Sequence, residues 1–137
     1  MMKIYFVSQN EFETGVRYLL NILPRDKYKK LVIVCNGGKT LGNLLKTHLN
    51  IDKVDFIYVN NYKNEKLIGD KSIKVVEENV LVVDDILDTG TTLKDVEVDV
   101  CVWCIKKRDK YKCEKIKNLF YYKEFDEDVW VVFPWER

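Results

Sequence analysis

Three carboxylates and a run of small hydroxyl residues lie close together in the middle of the chain. The carboxylates are Asp84, Asp85 and Asp88, and residues 89–92 are Thr-Gly-Thr-Thr. Carboxylates can bind hydroxyl groups or a metal ion, or stabilise a developing positive charge. Small turn residues let backbone N–H groups approach an anion closely. Together these residue types predict a site for a phosphorylated sugar.

The segment before the acids indicates how they are positioned. Residues 80–83 are aliphatic without alternation, which is typical of a strand buried on both faces of a parallel sheet. Ligands of open α/β sheets bind beyond the carboxyl ends of strands, and we expect Asp84 and Asp85 to lie there. A helix is expected to begin at the Thr-Gly-Thr-Thr turn, where its first N–H groups would face the phosphate. A simple helix cap by Asp88 or Thr89 would explain only one of the three acids.

A second turn of the phosphate-binding type follows another predicted strand, residues 31–35. Its residues are Asn36, Gly37, Gly38 and Lys39. The two glycines permit positive φ and leave the backbone bare, which suits a nest for an anion, and the lysine adds positive charge. A plain loop built on a glycine turn is the alternative.

Length and composition limit the size and the class of the protein. With 137 residues, 47% of them hydrophobic and 33% charged, the chain can form one core but not two. The formal net charge of +1 argues against a nucleic-acid partner, and every apolar stretch is too short for a membrane span. We therefore expect a single domain over residues 1–137, in a cytoplasmic protein that binds neither nucleic acid nor membrane.

Four cysteines raise the question of a metal site. Cys101 and Cys104 form a C-x-x-C pair, and the others are Cys35 and Cys113. The pair falls in a predicted strand, where alternation would place residues three apart on opposite faces, a poor geometry for shared zinc. The sequence lacks a second ligand pair at suitable spacing, and His48 is its only histidine. We expect reduced thiols in the core, which agrees with a cytoplasmic location.

The remaining patterns predict alternating helices and strands. One helix is expected to begin at Asn10, with Asn10 as its N-cap and Glu13 reaching back to it. A second helix is predicted over residues 41–49 from its repeat of leucines. Between residue 92 and the strand predicted at residues 98–105 there is room for little more than one helical turn. Strands are also predicted at residues 54–59, and a polar, mobile loop at residues 60–71. This order favours an α/β fold with a parallel sheet.

The acidic segment resembles the signature of the type I phosphoribosyltransferases, which binds phosphoribosyl diphosphate (PRPP). The shared features are an apolar strand, two acids, two apolar residues, Asp-Thr-Gly and small hydroxyl residues. The resemblance implies that Asp84 and Asp85 contact the ribose hydroxyls, directly or through Mg²⁺. It implies that Asp88 accepts a proton from the base. The residues implied to cradle the 5′-phosphate are Asp88, Thr89, Gly90, Thr91 and Thr92.

A wider resemblance, to the xanthine–guanine phosphoribosyltransferases, covers nearly the whole chain. In that subfamily the turn at residues 36–39 binds pyrophosphate and has an arginine where this chain has Asn36. Because PRPP carries phosphate at both ends, the resemblance implies that a second turn takes part in binding it. The residues implied to bind pyrophosphate are Asn36, Gly37, Gly38 and Lys39.

The C-terminal segment, residues 106–137, is implied to bind the base. Lys106 would contact the purine O6, with Lys107 as the alternative, and would favour 6-oxopurines over adenine. Trp130 would stack on the purine, and the backbone of Val131 would meet its 2-substituent. We expect two nearby aromatic residues, Phe133 and Trp135, to seal the core instead.

The resemblance also implies an architecture and an activity. The implied fold is a mostly parallel, twisted sheet flanked by helices, with a small hood from the N- and C-terminal segments. The implied activity is transfer of the 5-phosphoribosyl group from PRPP to guanine, xanthine or hypoxanthine, with Mg²⁺ as cofactor and release of pyrophosphate. Closure of the loop at residues 60–71 would exclude water, and the implied assembly is a dimer or a tetramer of identical chains.

Two other functions remain open. Asn36 and the short loop at residues 60–71 are compatible with a catalytically weak regulatory protein that binds PRPP or a nucleotide. An enzyme for another base, such as a pyrimidine, is the other possibility, and Trp130 with Lys106 argues against it.

Overall fold

The computed structural model describes residues 2–63, 66–70, 72–107 and 113–136, with only the backbone for residues 60–63 and 66–70. The elements in chain order are β1 (Lys3–Phe6), α1 (Gln9–Ile22), β2 (Lys30–Cys35), α2 (Lys39–His48), β3 (Lys53–Tyr58), β4 (Asn60–Lys63), β5 (Lys66–Asp70), β6 (Lys74–Val75), β7 (Val80–Leu87), β8 (Asp95–Val96), β9 (Asp99–Lys106), β10 (Leu119–Phe120), β11 (Lys123–Phe125), β12 (Val129–Val132) and a 3-10 turn, Pro134–Glu136.

A parallel sheet forms the centre of the molecule. Its strand order is β10-β9-β7-β2-β3, and β11 pairs with β9 further along the same edge. Every pairing in this sheet is parallel, as the alternation of helices and strands predicts. The carboxyl ends of β2, β3, β7 and β9 therefore meet at one edge of the sheet, where a ligand site is expected.

The two helices pack on one face of this sheet. Helix α1 is amphipathic and buries Phe12, Val16 and Leu19. Its N-cap is Ser8, whose side-chain oxygen accepts a hydrogen bond from the Glu11 N–H at 3.0 Å. The predicted cap at Asn10 is wrong, because the helix already begins at Gln9. Within the described residues no helix is both long and apolar enough to cross a membrane.

Among the described residues, no helix covers the other face of the sheet. The helix predicted after Thr92 is not formed: residues 91–94 are a turn, and the two-residue strand β8 then pairs in parallel with β6. Leu93 and Val96 from this connection are buried in a second core cluster, against the valines of β7 and β9. The connection is too short for a helix to span this face, so apolar side chains of the turn and the strand pair exclude water from it instead.

Side-chain alternation breaks near the ends of β7 and β9. Asp85 and Trp103 fall between two register pairs, Asp84 with Val102 and Ile86 with Cys104, and are not paired with each other in the register. Cys101 and Cys104 both belong to the core cluster on the helix side, so the prediction that they face opposite sides is wrong. All four cysteines are nevertheless free and buried, as predicted. Burial raises the pKa of each of these thiols, which keeps them protonated.

The chain ends form a small separate layer. Strands β1 and β12 pair in parallel, with Ile4 opposite Trp130, and they form the hood that the resemblance implies. Phe133 is buried in the helix-side core, as predicted. Trp135 stacks on Phe133 with ring centroids 4.8 Å apart and is 37% exposed, so it seals the core from its edge. Trp135 covers the edge of the core because the 3-10 turn carries it to the surface.

A buried carboxylate anchors the end of the sheet that lies away from the ligand edge. Asp99, the first residue of β9, accepts hydrogen bonds from the Lys27 ammonium and the Tyr28 hydroxyl, each at 2.7 Å, and from the Asn118 amide at 2.9 Å. Burial by itself raises the pKa of Asp99, but the three hydrogen bonds outweigh that effect and hold the pKa below its usual range.

This lowered pKa predicts a pH-dependent contribution to stability. The stabilisation by ionised Asp99 is complete above the pKa of the unfolded chain, about 3.9, and is lost as pH falls through the lower pKa of the folded state. We expect Asp99→Asn to lower the free energy of unfolding by about 2 kcal/mol at pH 7, and this difference should shrink between about pH 4 and about pH 2. Urea denaturation across that range measures it.

The matched control for this prediction is Asp55→Asn. Asp55 also pairs with a lysine, Lys30, at 2.7 Å, but its side chain is 59% exposed, so its removal should change the free energy of unfolding by less than about 1 kcal/mol. A deficit in Asp99→Asn that is the same at every pH would contradict the role of the ionised carboxylate.

Candidate functional site

A cavity of about 330 Å³ opens at the carboxyl edge of the central sheet. It brings together the acidic segment and the glycine turn, which are separated by almost fifty residues of sequence. The residues that line it are Val34, Cys35, Asn36 and Gly37 from the end of β2 and its turn, Val59 after β3, and residues 84–93 from β7 and the turn that follows.

The first two acids lie within β7, because the strand continues to Leu87 instead of ending before them as predicted. The Asp84 carboxylate accepts a hydrogen bond from the Asp85 N–H at 2.8 Å, and the Asp85 carboxylate accepts one from the Ile86 N–H at 2.7 Å. These bonds fix the direction of both side chains. Burial raises the pKa of the Asp85 carboxyl above its usual range, so this position favours a ligand that brings positive charge or hydrogen-bond donors.

The glycine turn lies directly against the acids. A Cβ atom added to Gly37 would lie 2.5 Å from the nearer Asp85 carboxylate oxygen, and one added to Gly38 would lie 2.6 Å from the Val83 carbonyl oxygen. Of the described glycines, only Gly90 has a positive φ, so Gly37 and Gly38 do not use the positive φ that glycine permits. These positions require glycine because the turn approaches β7 too closely for a side chain.

The other residues of the glycine turn differ in their access to the cavity. Asn36 lines the cavity and is joined to Cys35 by a cis peptide bond. Lys39 is the exposed first residue of α2 and does not line the cavity. Gly38 is the N-cap of α2, and the first turn of that helix contains no acid. The positive end of the helix dipole therefore lies beside the turn without a compensating carboxylate from the helix itself.

The turn after β7 has the form of an anion cradle. Gly90 adopts φ 80°, which reverses the chain in a conformation that other residues rarely adopt. The Thr89 hydroxyl lies 3.1 Å from that of Thr91 and accepts a hydrogen bond from the Thr91 N–H at 3.3 Å. All four residues 89–92 line the cavity, so hydroxyl and amide donors of the turn surround the same space as the acids.

A second cavity, of about 200 Å³, adjoins the first through Lys106. It is lined by Met2, Lys106, Glu127, Asp128, Val129 and Trp130. The Lys106 side chain is only 8% exposed, and its Nζ lies 3.9 Å from Asp88 Oδ2 in the first cavity. Lys107 points elsewhere: it is exposed and lies 4.0 Å from Asp126. The structure thus brings Lys106, Asp88 and Trp130 to neighbouring cavities.

Trp130 and Val131 contribute to this region in different ways. Trp130 is 55% exposed and lines the second cavity. Val131 follows the alternation of the strand and packs against the helix-side core, so only its backbone is available to a ligand. The sequence-based prediction missed Met2, Glu127 and Asp128 as lining residues. The run of acids at residues 126–128, directly before the aromatic strand, was the signal for the last two.

The donor set can be compared with the needs of a divalent cation. Among the described residues, no group of three or more histidine, cysteine or acidic side chains is arranged to hold a metal. Asp84 and Asp85 offer two carboxylates on the floor of the first cavity. Mg²⁺ is commonly bound through one or two carboxylates together with substrate phosphates. The acids therefore fit a metal that arrives with a phosphorylated ligand.

Comparisons with known proteins agree with this geometry. The sequence is 27% identical, over 96% of this chain and 86% of the relative, to a xanthine-guanine phosphoribosyltransferase of Idiomarina loihiensis. The fold matches that of the xanthine-guanine-hypoxanthine phosphoribosyltransferase of Helicobacter pylori, with a TM-score of 0.71 and 24% identity over 97% of this chain and 94% of that one.

The fold is equally similar to that of a hypothetical protein from Neisseria gonorrhoeae with bound ppGpp. Its TM-score is also 0.71, at 19% identity, with 100% of this chain and 91% of that one covered. The family model of the phosphoribosyl transferase domain matches residues 6–135, which is almost the whole chain. The chain therefore belongs to the phosphoribosyl transferase domain family.

Proposed function

We propose that this protein transfers the 5-phosphoribosyl group from PRPP to a 6-oxopurine and releases pyrophosphate. The observation that supports this most strongly is the adjacency of the two cavities. One combines carboxylates with two anion-binding turns, and the other combines Lys106 with Trp130, while the Lys106–Asp88 contact joins them. A sugar phosphate in the first cavity and a flat base in the second would meet at this contact.

The first cavity would bind PRPP at three points. Residues 88–92 would donate backbone N–H groups and hydroxyls to the 5′-phosphate. Asp84 and Asp85 would accept hydrogen bonds from the ribose hydroxyls. The turn at residues 36–38 would meet the pyrophosphate, with the positive end of α2 behind it. Lys39 is exposed and outside the cavity lining, so its contribution would be a longer-range charge.

The same carboxylates would stabilise the transition state. As the bond between C1′ and the pyrophosphate oxygen breaks, positive charge develops on the ribose ring. Carboxylates already fixed by the hydrogen bonds of Asp84 and Asp85 need little reorganisation to stabilise that charge. Asp84 and Asp85 are also the residues that would hold Mg²⁺ carried by the substrate, which would neutralise charge on the leaving group.

The second cavity would bind the purine. Trp130 offers an exposed ring for stacking, and the Lys106 ammonium would donate to O6. We assign this role to Lys106 and not to Lys107, since only Lys106 points towards Asp88. The Val131 backbone would face the 2-substituent. Asp88 would accept the proton that the purine loses as its N9 forms the new bond.

Exclusion of water from the bound substrate is a further part of the proposed function. Residues 60–63 and 66–70 form the antiparallel strands β4 and β5 instead of the loop predicted over residues 60–71, of which residues 64, 65 and 71 lie outside the described part of the chain. We propose that this strand pair closes over the bound PRPP and excludes water, which would otherwise hydrolyse it.

We also propose a homo-oligomer, a dimer or a tetramer, which light scattering of the purified protein would test.

A second candidate function is that of a regulatory protein that binds PRPP or a nucleotide with little turnover. Asn36 lacks the charge that an arginine would bring to the pyrophosphate, and one structurally similar protein is described with bound ppGpp. The two functions differ in turnover but not in ligand chemistry, so an assay of turnover distinguishes them.

The test is release of pyrophosphate from PRPP and Mg²⁺ with each of five bases: guanine, hypoxanthine, xanthine, adenine and uracil. The proposed enzyme should use 6-oxopurines and leave adenine and uracil almost unreacted. Measurable PRPP binding by calorimetry without turnover of any base would favour the regulatory protein. Efficient use of uracil would contradict the proposal that Lys106 and Trp130 bind a 6-oxopurine.

A further inference from the structure

Side chains of opposite charge line the cavity beside Trp130. Among its described lining residues the cation is Lys106, the last residue of β9, which is buried next to the sugar site. Its two anions are Glu127 and Asp128, which lie in the turn between β11 and β12. A flat ligand on Trp130 would therefore meet an ammonium donor next to Asp88 and two carboxylate acceptors.

The three 6-oxopurines differ in what they offer to those carboxylates. All three carry the O6 acceptor that suits Lys106. At position 2, guanine has an amino group that donates hydrogen bonds, hypoxanthine has only C–H, and xanthine has a carbonyl oxygen that accepts them. Xanthine also loses a proton near neutral pH and becomes an anion. A carboxylate attracts the 2-amino group of guanine, and it repels the 2-carbonyl oxygen and the anionic form of xanthine.

We propose that Glu127 and Asp128 set the base preference of this protein in favour of the 2-amino purine, guanine, and against xanthine. This inference depends on the proposed function, because it assigns the specificity of the same base site. The two carboxylates act on the bound base through charge and through hydrogen bonding to the 2-amino group. Both lie in an exposed turn, so we expect their replacement by amides to leave the fold intact.

The exposure of the turn limits the size of this effect. Water screens carboxylates at the surface, so their contribution is smaller than that of a fully buried hydrogen-bonding site, which can discriminate by ten-thousandfold or more. A base stacked on Trp130 excludes part of that water and strengthens the interaction. We expect the order guanine, hypoxanthine, xanthine in kcat/KM, with about tenfold between the first and the last.

The chain offers a matched control in the same turn. Asp126 precedes the two acids directly, but its side chain is 67% exposed, lies 4.0 Å from Lys107 and does not line the cavity. The double variant Glu127→Gln with Asp128→Asn removes the two charges and keeps the side-chain shapes. Asp126→Asn removes one charge from the same turn and should leave the base preference unchanged.

The experiment measures kcat/KM for the three 6-oxopurines in the wild type, the double variant and the control at one pH and low ionic strength. The double variant should lower the ratio of guanine to xanthine by about tenfold, mainly by improving xanthine, while hypoxanthine changes little. Wild-type protein that uses xanthine as well as guanine would overturn the inference. A double variant with the wild-type ratio would also overturn it.

Binding of the nucleotides GMP and XMP to the same three proteins separates this inference from the proposed function. If the wild type releases no pyrophosphate with any base, the transferase function is refuted. The inference about base preference still stands if the wild type binds GMP more tightly than XMP and the double variant does not. Equal affinity of the wild type for the two nucleotides overturns it.

Discussion

Asp88→Asn should lower kcat by about a thousandfold, because a general base in the right position contributes about a hundred- to ten-thousandfold to the rate. Asp88 lies where the two cavities meet, within 3.9 Å of Lys106. Asparagine keeps the size of the side chain and its hydrogen-bonding oxygen but cannot take up the proton. The affinity for PRPP should therefore fall by less than about threefold, because residues 89–92 bind the phosphate mainly through backbone amides.

The measurement combines steady-state kinetics with calorimetric titration of PRPP and Mg²⁺. Asp95→Asn is the control, since Asp95 is a nearby carboxylate outside the cavity that pairs with Lys115 at 3.6 Å. Asp95→Asn should leave kcat and the affinity for PRPP close to those of the wild type. Equal losses of kcat and of PRPP affinity in Asp88→Asn would show that Asp88 serves binding and not proton transfer.

Alanine at the two neighbouring glycines should separate ligand binding from folding. In Gly37→Ala the new methyl group would collide with the Asp85 carboxylate. The carboxylate would have to turn away from the Ile86 N–H, so we expect PRPP to bind at least about tenfold more weakly. The free energy of unfolding should fall by only about 1 kcal/mol, because a side chain can move aside.

In Gly38→Ala the methyl group meets backbone instead. The Val83 and Val34 carbonyl oxygens lie 2.6 and 2.7 Å from the added Cβ, and both belong to the central sheet. We expect a loss of about 3 kcal/mol in the free energy of unfolding. Urea denaturation and PRPP titration of both variants test the pair. Equal destabilisation by the two substitutions, with unchanged PRPP affinity in Gly37→Ala, would contradict the contact between the glycine turn and Asp85.

Sequence reasoning predicted the parallel sheet and the acidic segment because both depend on local patterns. Buried parallel strands consist of continuous aliphatic runs, and residues 80–83 and 31–35 have that form. The acids and the threonine turn are adjacent in sequence, so their association does not depend on tertiary structure. Lys106 was placed by resemblance alone, and the contact with Asp88 adds a geometric reason for its role.

Errors arose where tertiary packing overrides local preference. The predicted helix after Thr92 was lost because the connection to β9 is too short and its apolar residues cover the second face of the sheet as a turn and a strand. The glycines at 37 and 38 were noted for the positive φ and the bare backbone that glycine permits, whereas their constraint in the fold is the short distance to β7. Glu127 and Asp128 were overlooked because a run of acids is typical of a solvated turn, and only the fold shows that they line a cavity together with Lys106.

A crystal structure with GMP and Mg²⁺ bound would test the central assignment directly. The account predicts the 5′-phosphate within hydrogen-bonding distance of the amides of residues 89–92 and the ribose hydroxyls on Asp84 and Asp85. It also predicts the guanine on Trp130, with O6 towards Lys106. A phosphate bound anywhere else, with the turn at residues 89–92 left empty, would contradict it.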